Sequence, residues 1–557
     1  MKRKLAAILL LALMLVLAGC GGEPAAVVSS SAYSAPAGAS SPAGRFSLPF
    51  NATDSLNPYL AKSKVNQELS LLIYEPLVRL NANFQPDYCL AESITVNGKN
   101  VVVNLKNVLF NDGSRLDAED VTASIKAAKD SQSKYKDQLD NIASYSPAAA
   151  DRVSITLKNA DAFAINMLEF PIIKRGSTAR VNSDKKPLPP YGCGRYLFDE
   201  TAGNILTANA QYFEGAPSIS EISLVDTPDE PSLKHAVEVG LVSMYYTEAG
   251  MSILKGKNTT VPQNNIIYLG LNFNNTYLKS EEFRQALSLM INRDKICSEA
   301  YSGNARPAVS PYNPAMPTDG LTTEQTLSTA PEQEKIVATM NSLGYNRKDD
   351  SGYLLNGSRQ ISLRLLVNTD NASRDLMADT IVQNLKDSGI NVSLVKKSMS
   401  AYKSALSSGD YDMYLAEVKL NNNHDFSALL PGGSLSFRLP DITAASSAAS
   451  TAASKPASSK PASSSNQAYS GASSQAPSST AASKPDPVKQ SLGELMAAFN
   501  SLKSLQNPGS FAAAFNKSLP FIPLVYRCGS LNYTAAVQGE WVAGPGDIFY
   551  GICDLTI

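Results

Sequence analysis

The side chains that most often carry out catalysis or bind metals are scarce in this chain of 557 residues. It has only two histidines, His235 and His424, and neither belongs to a recognisable nucleophile–base or zinc motif. Gly-x-Ser-x-Gly and His-Glu-x-x-His, which are typical of serine hydrolases and zinc peptidases, are both absent. We therefore expect no enzyme, no cofactor and no metal centre.

The six cysteines offer a second possible chemistry. One of them, Cys20, lies close to the N-terminus and is considered separately below. The other five are spaced too widely for a zinc motif, and an odd number cannot all pair with one another. We expect mostly buried or free thiols, with at most one disulfide, at Cys89, Cys193, Cys297, Cys528 and Cys553.

The N-terminus has the layout of an export signal. Basic residues in Met1–Lys4 precede fourteen apolar residues, Leu5–Ala18, a core too short to span a bilayer comfortably. Leu17-Ala18-Gly19-Cys20 resembles a bacterial lipobox, in which the cysteine is lipidated after cleavage. We expect a signal peptide at 1–19, then lipidated Cys20 and a flexible Gly/Ser/Ala/Pro linker at 20–44, on the extracytoplasmic face of the cell membrane. An ordinary secretory signal is the alternative.

The charge balance argues against nucleic acid as a partner. The full chain has 49 basic and 50 acidic residues. Removing Lys2, Arg3 and Lys4 with the signal peptide leaves 46 basic residues against 50 acidic ones, a net charge of −4. A chain of this charge lacks the basic excess that nucleic-acid binding requires.

The most clearly specified elements lie between residues 101 and 129. Val101, Val103 and Leu105 alternate with Val102, Asn104 and Lys106, which predicts a half-buried strand. Asp112-Gly113 is a turn signal, and Asp117 is a good helix N-cap, with Asp120 three residues later. A strand, a turn and a capped helix occur in most α/β proteins, so these elements alone do not identify a function.

The letters of this segment are more informative than its elements. NVLFNDGSRLDAEDVTASIKAA, at 107–128, resembles the signature of the extracellular solute-binding proteins that serve as oligopeptide, dipeptide and nickel-chelate receptors of ABC importers. Further blocks match in order: Leu56-Asn57-Pro58, Tyr74-Glu75-Pro76-Leu77, Tyr191–Tyr196 and the helical segment 281–296. Cys193 and Arg195 depart from the Gly-Thr-Gly-Pro-Tyr turn of the family, and we expect that turn to be structural.

The resemblance implies a mixed α/β fold with two lobes, the type II, dipeptide-binding-protein-like form of the periplasmic binding proteins. The ligand would lie in a cleft between lobes that close about a hinge. The strand at 519–526 resembles the return of the chain to the first lobe. The expected divisions are lobe I at 45–80, 185–265 and 518–557, its subdomain at 81–184, lobe II at 266–517, and a disordered Ala/Ser/Pro/Lys insertion at 443–488 within lobe II.

The resemblance also implies where a ligand would bind. In relatives, the loop that here contains Lys62, Ser63 and Lys64 passes the mouth of the cleft, where its lysines would favour an acidic group; the alternative is that they are only solvated. Peptide-binding relatives often place an acidic residue near the segment 417–426. The candidates there, and on the strand returning from the other lobe, are Glu417, Asn421, Asn422, Asn423, His424, Asp425 and Tyr526.

The ligand is left open by departures in this segment. The tryptophan of many relatives is absent, and Asn421 occupies the first acidic position, so Asp425 is our candidate for binding a peptide amino terminus. We expect a monomeric receptor that delivers a peptide or similar solute to ABC permease subunits. A metal–chelate receptor using His424, or a sensor that passes its ligand to a signalling partner, are the alternatives.

Overall fold

The computed structural model describes residues 45–130, 132–248, 256–317, 321–322, 325–442 and 486–557. The predicted signal peptide, Cys20 and linker lie outside the described residues, as does 443–485, nearly all of the predicted insertion. The last three residues of that predicted insertion, 486–488, are described. Asp486 caps a helix that begins at Pro487, and its side chain accepts a hydrogen bond from the backbone N–H of Val488.

The helices occur in both lobes, and none of the described helices is long and apolar enough to cross a membrane. They are α1 (Lys64–Ile73), α2 (Ala118–Ala128), α3 (Glu230–Glu238), α4 (Glu281–Met290), α5 (Arg293–Tyr301), α6 (Gln333–Ser342), α7 (Ala372–Asp387), α8 (Met399–Ser408), α9 (Pro487–Leu505) and α10 (Pro508–Ser518).

The strands are mostly short, apart from two that are described below. They are β1 (Phe46–Phe50), β2 (Val78–Leu80), β3 (Pro86–Tyr88), β4 (Ala91–Asn97), β5 (Asn100–Leu105), β6 (Ile142–Ala149), β7 (Arg152–Leu157), β8 (Tyr196–Phe198), β9 (Ile205–Ala208), β10 (Glu221–Asp226), β11 (Met244–Thr247), β12 (Lys257–Leu271), β13 (Ala305–Pro307), β14 (Leu355–Asn356), β15 (Arg359–Gln360), β16 (Ser362–Asn368), β17 (Asn391–Lys397), β18 (Met413–Lys419) and β19 (Phe521–Tyr533).

The strand and capped helix predicted near residue 110 are confirmed. β5 alternates buried and partly exposed residues in an antiparallel sheet of order β4-β5-β7-β6. Asp117 caps α2, and its side chain accepts hydrogen bonds from the backbone N–H groups of Glu119 and Asp120. The Asp120 carboxylate accepts the N–H of Asp117 in return, which completes a capping box. This sheet and helix form part of lobe I.

Two separate apolar cores define the two lobes. One core joins residues between Phe46 and Val261 to residues between Leu531 and Leu555, and this is lobe I. The other joins residues between Ile266 and Tyr526, and this is lobe II. Lobe I also contains the sheet β1-β10-β9-β8, in which β1 and β10 are parallel. Lobe II is built on a mixed sheet, with β17, β16 and β18 parallel and β18 antiparallel to β12.

The long antiparallel strands β12 and β19 run from one core into the other, pairing from Lys257 with Tyr533 to Gly270 with Phe521. Val261 and Leu531 pack in lobe I, whereas Phe521–Tyr526 packs in lobe II. The return to lobe I predicted at 518 therefore comes later in the chain, because the first half of β19 completes the lobe II sheet. Within the described residues, these two strands carry the chain from one lobe to the other.

Candidate functional site: the cavity between the lobes

A cavity of about 390 Å³ lies where the two lobes meet. Lobe I contributes residues of α1, the segment that follows it, and the loops around 134–138, 169–171 and 545–548. Lobe II contributes Lys419–Asn422, at the end of β18 and in the loop beyond it. Both lobes therefore contact whatever occupies this space.

A β-bulge in the crossing strand turns two amides toward the cavity. The pairing of β12 with β19 is interrupted between Pro262 and Asn265, and the residues in the interruption, Gln263 and Asn264, line the cavity. Asn264 also connects the crossing strand to the loop after β18, because its Nδ2 donates to the carbonyl oxygen of Asn421 at 3.0 Å. Pro262 is the sequence signal for this bulge, since proline cannot donate to a sheet hydrogen bond.

Lys64 presents its ammonium group from the first turn of α1. The preceding loop is fixed by Asp54, whose Oδ2 accepts hydrogen bonds from the backbone N–H of Lys62 and from the backbone and hydroxyl of Ser63. Lys64 Nζ lies 2.9 Å from a Glu248 carboxylate oxygen and 3.9 Å from a Glu68 oxygen. Burial opposes its charge, but Glu68 and Glu248 outweigh that effect and raise the pKa of Lys64.

Two further lysines line the cavity, Lys134 from lobe I and Lys419 from lobe II. Neither forms an ion pair within the described part of the chain. Burial, reinforced by Lys64, lowers the pKa of Lys134 to about 7, and the same two causes lower that of Lys419. Both side chains remain open to cavity water, so this desolvation comes from the surrounding walls rather than from dry packing.

The pKa values of two carboxyl groups in the cavity wall are raised, whereas those of the two lysines are lowered. Burial raises the pKa of Glu68 to about 8, against the opposing effect of Lys64 and Lys134. Burial likewise raises the pKa of Glu169 to about 8, although its Oε1 accepts the backbone N–H of Leu80 at 2.8 Å. Burial therefore favours the neutral form of both carboxyl groups.

A buried network of four charges, Glu75, Arg79, Arg195 and Asp547, lies behind this wall. Asp547 Oδ2 lies 2.7 Å from Arg195 Nη2 and 3.2 Å from Arg79 Nε. Glu75, which has no exposed surface, bonds Arg79 and lies 3.5 Å from Arg195 Nε. Arg195 also donates to the carbonyl oxygens of Leu71 and Phe549. These contacts fix the C-terminal segment of the chain against α1.

The turn that contains Arg195 is structural, as predicted, for a specific reason. A Cβ atom on Gly192 would lie 2.1 Å from the carbonyl oxygen of Ile73, and one on Gly194 would lie 2.5 Å from that of Leu72. The glycines therefore allow close contact with the end of α1, and neither has a positive φ. Arg195, which departs from the family's turn and was predicted only to be structural, contributes its guanidinium group to the buried network.

The predicted site residues divide into two groups. Lys64, Asn421 and Asn422 line the cavity. Lys62 and Ser63 do not: Lys62 is exposed, and the hydroxyl of Ser63 donates to Asp54. Their loop positions α1 but leaves only Lys64 in reach of the cavity.

The prediction that all of Asn421–Asp425 faces the cleft is wrong in its second half. Asn423 is buried, and its Nδ2 donates to Asp161 Oδ2 at 2.6 Å. The His424 ring lies between Phe163 and Tyr312, with ring centroids 4.4 Å and 5.4 Å away. Asp425 accepts the backbone N–H of Ser427 in its own turn. His424 has a positive φ of 55°, and none of these three residues lines the cavity.

Glu417 and Tyr526 also have partners elsewhere. Glu417 lies 3.2 Å from Arg374 Nη2 and 2.5 Å from Arg527 Nη1, on lobe II and the crossing strand. Tyr526 is 1% exposed in the lobe II core, where its hydroxyl donates to the carbonyl oxygen of Pro311. Neither lines the cavity.

The lobes also contact each other beside the cavity through an interlobe contact formed by Asp161, Phe163, Asn423 and Lys503. Lys503 Nζ, on α9 of lobe II, lies 2.8 Å from Asp161 Oδ1 of lobe I. The backbone N–H of Ala162 donates to the carbonyl oxygen of Lys503 at 2.6 Å. Asn423, which was predicted to bind ligand, therefore contacts lobe I through Asp161 instead.

The residues missed by sequence reasoning are those whose role depends on the fold. They are Glu68, Arg79, Lys134, Glu169, Gln263, Asn264, Lys419 and Asp547, which come from segments far apart in the sequence. Lys419 lies only two residues before Asn421 and was the easiest to include. The loop of Lys134 carries no periodic pattern that would single it out.

Metal binding gains no support from side-chain clusters. Among the described residues, no group of three or more His, Cys, Asp or Glu side chains could hold a metal ion. His424 is enclosed by protein, and that burial, with Lys503 second, lowers its pKa to about 3, so it stays neutral. The five cysteines described are all free, and four of them are buried.

Comparison with known proteins identifies this arrangement. The sequence model of "Bacterial extracellular solute-binding proteins, family 5 Middle" matches residues 83–434. The oligopeptide-binding protein AppA of Bacillus subtilis (strain 168) is 24% identical over 465 residues, which are 78% of this chain and 82% of AppA. The glutathione-binding protein GsiB of Escherichia coli (strain K12) is 25% identical over 279 residues, 47% of this chain and 54% of GsiB.

Solved structures share the fold. That of a nickel ABC transporter protein from Bacillus halodurans superposes with a TM-score of 0.68 at 18% identity, covering 92% of this chain and 100% of the other. The fold is the bilobal type II form of the solute-binding proteins. The chain therefore belongs to family 5 of the bacterial extracellular solute-binding proteins, the substrate-binding components of ABC importers.

Proposed function

We propose that this protein is a lipid-anchored extracytoplasmic receptor that captures a short peptide, or a solute of similar size, and delivers it to an ABC permease. The observation that carries the proposal is the cavity of about 390 Å³ with walls from both lobes. Its volume lies within the range of about 300–1,000 Å³ that is usual for small-molecule sites. Polar side chains from each lobe could contact one ligand only when the lobes are together.

Peptide is favoured over a bare metal ion by the composition of the cavity wall. Amides from Gln67, Gln263, Asn264 and the Asn421–Asn422 pair can bond the peptide backbone. No metal-binding cluster occurs among the residues that the structure describes. AppA, similar over most of its length, is named for oligopeptide binding. A metal chelate, whose metal carries its own ligands, is the competing solute.

Calorimetry with two probes tests this function. Purified protein, stripped of bound solute by unfolding and refolding, is titrated with a mixed tripeptide library and separately with a nickel–histidine chelate. We expect heat from the peptides and none from the chelate. Binding of the chelate alone would replace the peptide proposal with the chelate one, and the absence of any solute binding would contradict the receptor function. Uptake of the bound peptide is then compared in cells with and without the permease. A transport role predicts that uptake is lost without the permease, whereas a sensing role predicts no change.

Anchoring through Cys20 forms the second part of the proposal, and it rests on the sequence Leu17–Cys20 after an apolar core. Replacing Cys20 by Ser should release the protein from the membrane fraction. Cys553→Ser is the matched control, because it removes a free, half-buried thiol and should leave the protein on the membrane. Retention of Cys20→Ser after a salt wash would contradict lipidation.

A further inference from the structure

The positive and negative charges in the cavity differ in whether the protein itself satisfies them. Lys64 is paired with Glu248 at 2.9 Å, and Asp547 is paired with Arg79 and Arg195. Lys134 and Lys419 have no carboxylate partner within the described residues. These two lysines are therefore available to an anion from outside the protein.

The nearby carboxyl groups are not free to become partners. Glu169 accepts a hydrogen bond from the backbone of Leu80 and packs so tightly on Gly546 that a Cβ there would lie 2.3 Å from its Oε2. Glu68 is 8% exposed and lies against Lys64. Burial raises the pKa of both carboxyl groups and so favours their neutral form. Among the described residues, neither carboxyl group forms an ion pair with Lys134 or Lys419, so an anion from outside the protein could pair with these two lysines.

The two unpaired lysines lie on opposite sides of the interlobe boundary. Lys134 lies in a loop of lobe I after α2, and Lys419 is the last residue of β18 in lobe II. Because the pKa of Lys134 is about 7, this lysine is only partly charged near neutral pH in the absence of a ligand. An anion that contacts Lys134 and Lys419 favours the charged form of both and so attracts both lobes. The charge of the ligand thereby becomes coupled to closure of the cleft.

We propose that the solute carries an anionic group, for a peptide its terminal carboxylate, which binds between Lys134 of lobe I and Lys419 of lobe II. This inference rests on the proposed function and specifies its substrate class. It also moves charge recognition away from Asp425, whose carboxylate is used in its own turn. Lys64 contributes to the same positive field but is already paired.

Matched tripeptide libraries, one with free C-terminal carboxylates and one with C-terminal amides, test the proposal by calorimetry. Both libraries keep a free amino terminus, so they differ only in the charge at issue. The wild-type protein should bind the acid library at least about tenfold more tightly than the amide library. The double variant Lys134→Gln, Lys419→Gln should lose this preference and bind the two libraries equally.

The matched control is Lys126→Gln with Lys403→Gln, which removes one exposed lysine from each lobe outside the cavity. It should keep the wild-type preference. Equal binding of acid and amide by the wild type, or a preference that survives in the cavity double variant, would overturn the inference while peptide reception stood. If neither library binds, peptide reception itself fails, and the inference falls with it.

Discussion

The buried network behind the cavity and the two lysines within it place charge beside the same space in opposite ways. Glu75, Arg79, Arg195 and Asp547 are nearly excluded from solvent and satisfy one another inside lobe I. Lys134 and Lys419 are open to cavity water, lie on different lobes and have no ion-pair partner among the described residues. This difference indicates two roles: the paired charges stabilise the wall of the empty cavity, whereas the unpaired lysines are available to bind a ligand.

The largest effect is expected from breaking the buried network. Arg195→Met leaves Asp547 with Arg79 alone and strands the carbonyl oxygens of Leu71 and Phe549. Removing one partner of a buried ion pair costs about 3–5 kcal/mol in unfolding free energy. Fluorescence of Trp541, the single tryptophan, which is buried in lobe I, reports the unfolding in urea.

The control for Arg195→Met is Lys126→Met, an exposed change expected to alter the unfolding free energy by no more than about 0.5 kcal/mol. If the two variants unfold at the same urea concentration, the network is not what holds the C-terminal segment. The same outcome would remove the contrast with the cavity lysines, since neither set would then be structural.

The next largest effect should come from the interlobe contact. Asp161→Asn removes the charge that Lys503 and Asn423 hold across the lobes, at 2.8 Å and 2.6 Å. A hydrogen bond to a charged group contributes about 1.5–3 kcal/mol, and here that energy favours the arrangement in which the lobes contact each other. We expect a larger radius of gyration by small-angle X-ray scattering for the ligand-free variant and weaker solute binding.

Asp140→Asn serves as the comparison for Asp161→Asn, because the partner of Asp140, Lys158, forms only an exposed pair on lobe I. It should leave both scattering and affinity unchanged. Identical scattering curves for all three proteins would mean that the interlobe contact does not stabilise closure.

A smaller effect is expected in how stability depends on pH. The pKa of Glu169 is about 8 in the folded protein, against about 4.3 in the unfolded chain, so the folded state binds the extra proton between these values. This contribution is complete below about pH 4 and is lost as the pH rises toward 8. The groups around the carboxyl are the Leu80 N–H, Asp547, Arg79 and Lys419.

Glu169→Gln cannot ionise and keeps an oxygen to accept the Leu80 N–H. The melting temperature of the variant, relative to that of the wild type, should therefore increase as the pH rises from 5 to 8. Parallel melting curves across this range would show that Glu169 is already ionised in the folded protein, and that the wall is less positive than proposed.

The smallest effect is expected at His424. His424→Phe should preserve the packing between Phe163 and Tyr312, because the neutral imidazole acts there as a ring rather than as a base. Solute affinity should stay within about twofold of the wild type, a difference of less than about 0.5 kcal/mol. Loss of binding would restore the chelate alternative, in which this histidine is a ligand.

The sequence was sufficient for the scaffold because the scaffold signals are local. Asp117 and Asp120 lie within one turn of helix, and their capping box could be read directly. The candidate site was harder to predict because it depends on where distant segments meet. Asn421 and Asn422 line the cavity, but one residue later the chain turns to Asp161, a partner 262 positions away. The roles of Lys134 and Arg195 likewise depend on neighbours that only the folded chain supplies.

The central claim is that the lobes close on an anionic solute. Native mass spectrometry of the protein purified from the cells that produce it, followed by release and identification of the bound molecule, tests this most directly. The account predicts a peptide or similar small solute with at least one carboxylate, present on the wild type and on the Lys126→Gln, Lys403→Gln control, and depleted from the Lys134→Gln, Lys419→Gln variant. A bound solute without an anionic group, or equal occupancy of the control and the cavity variant, would contradict it.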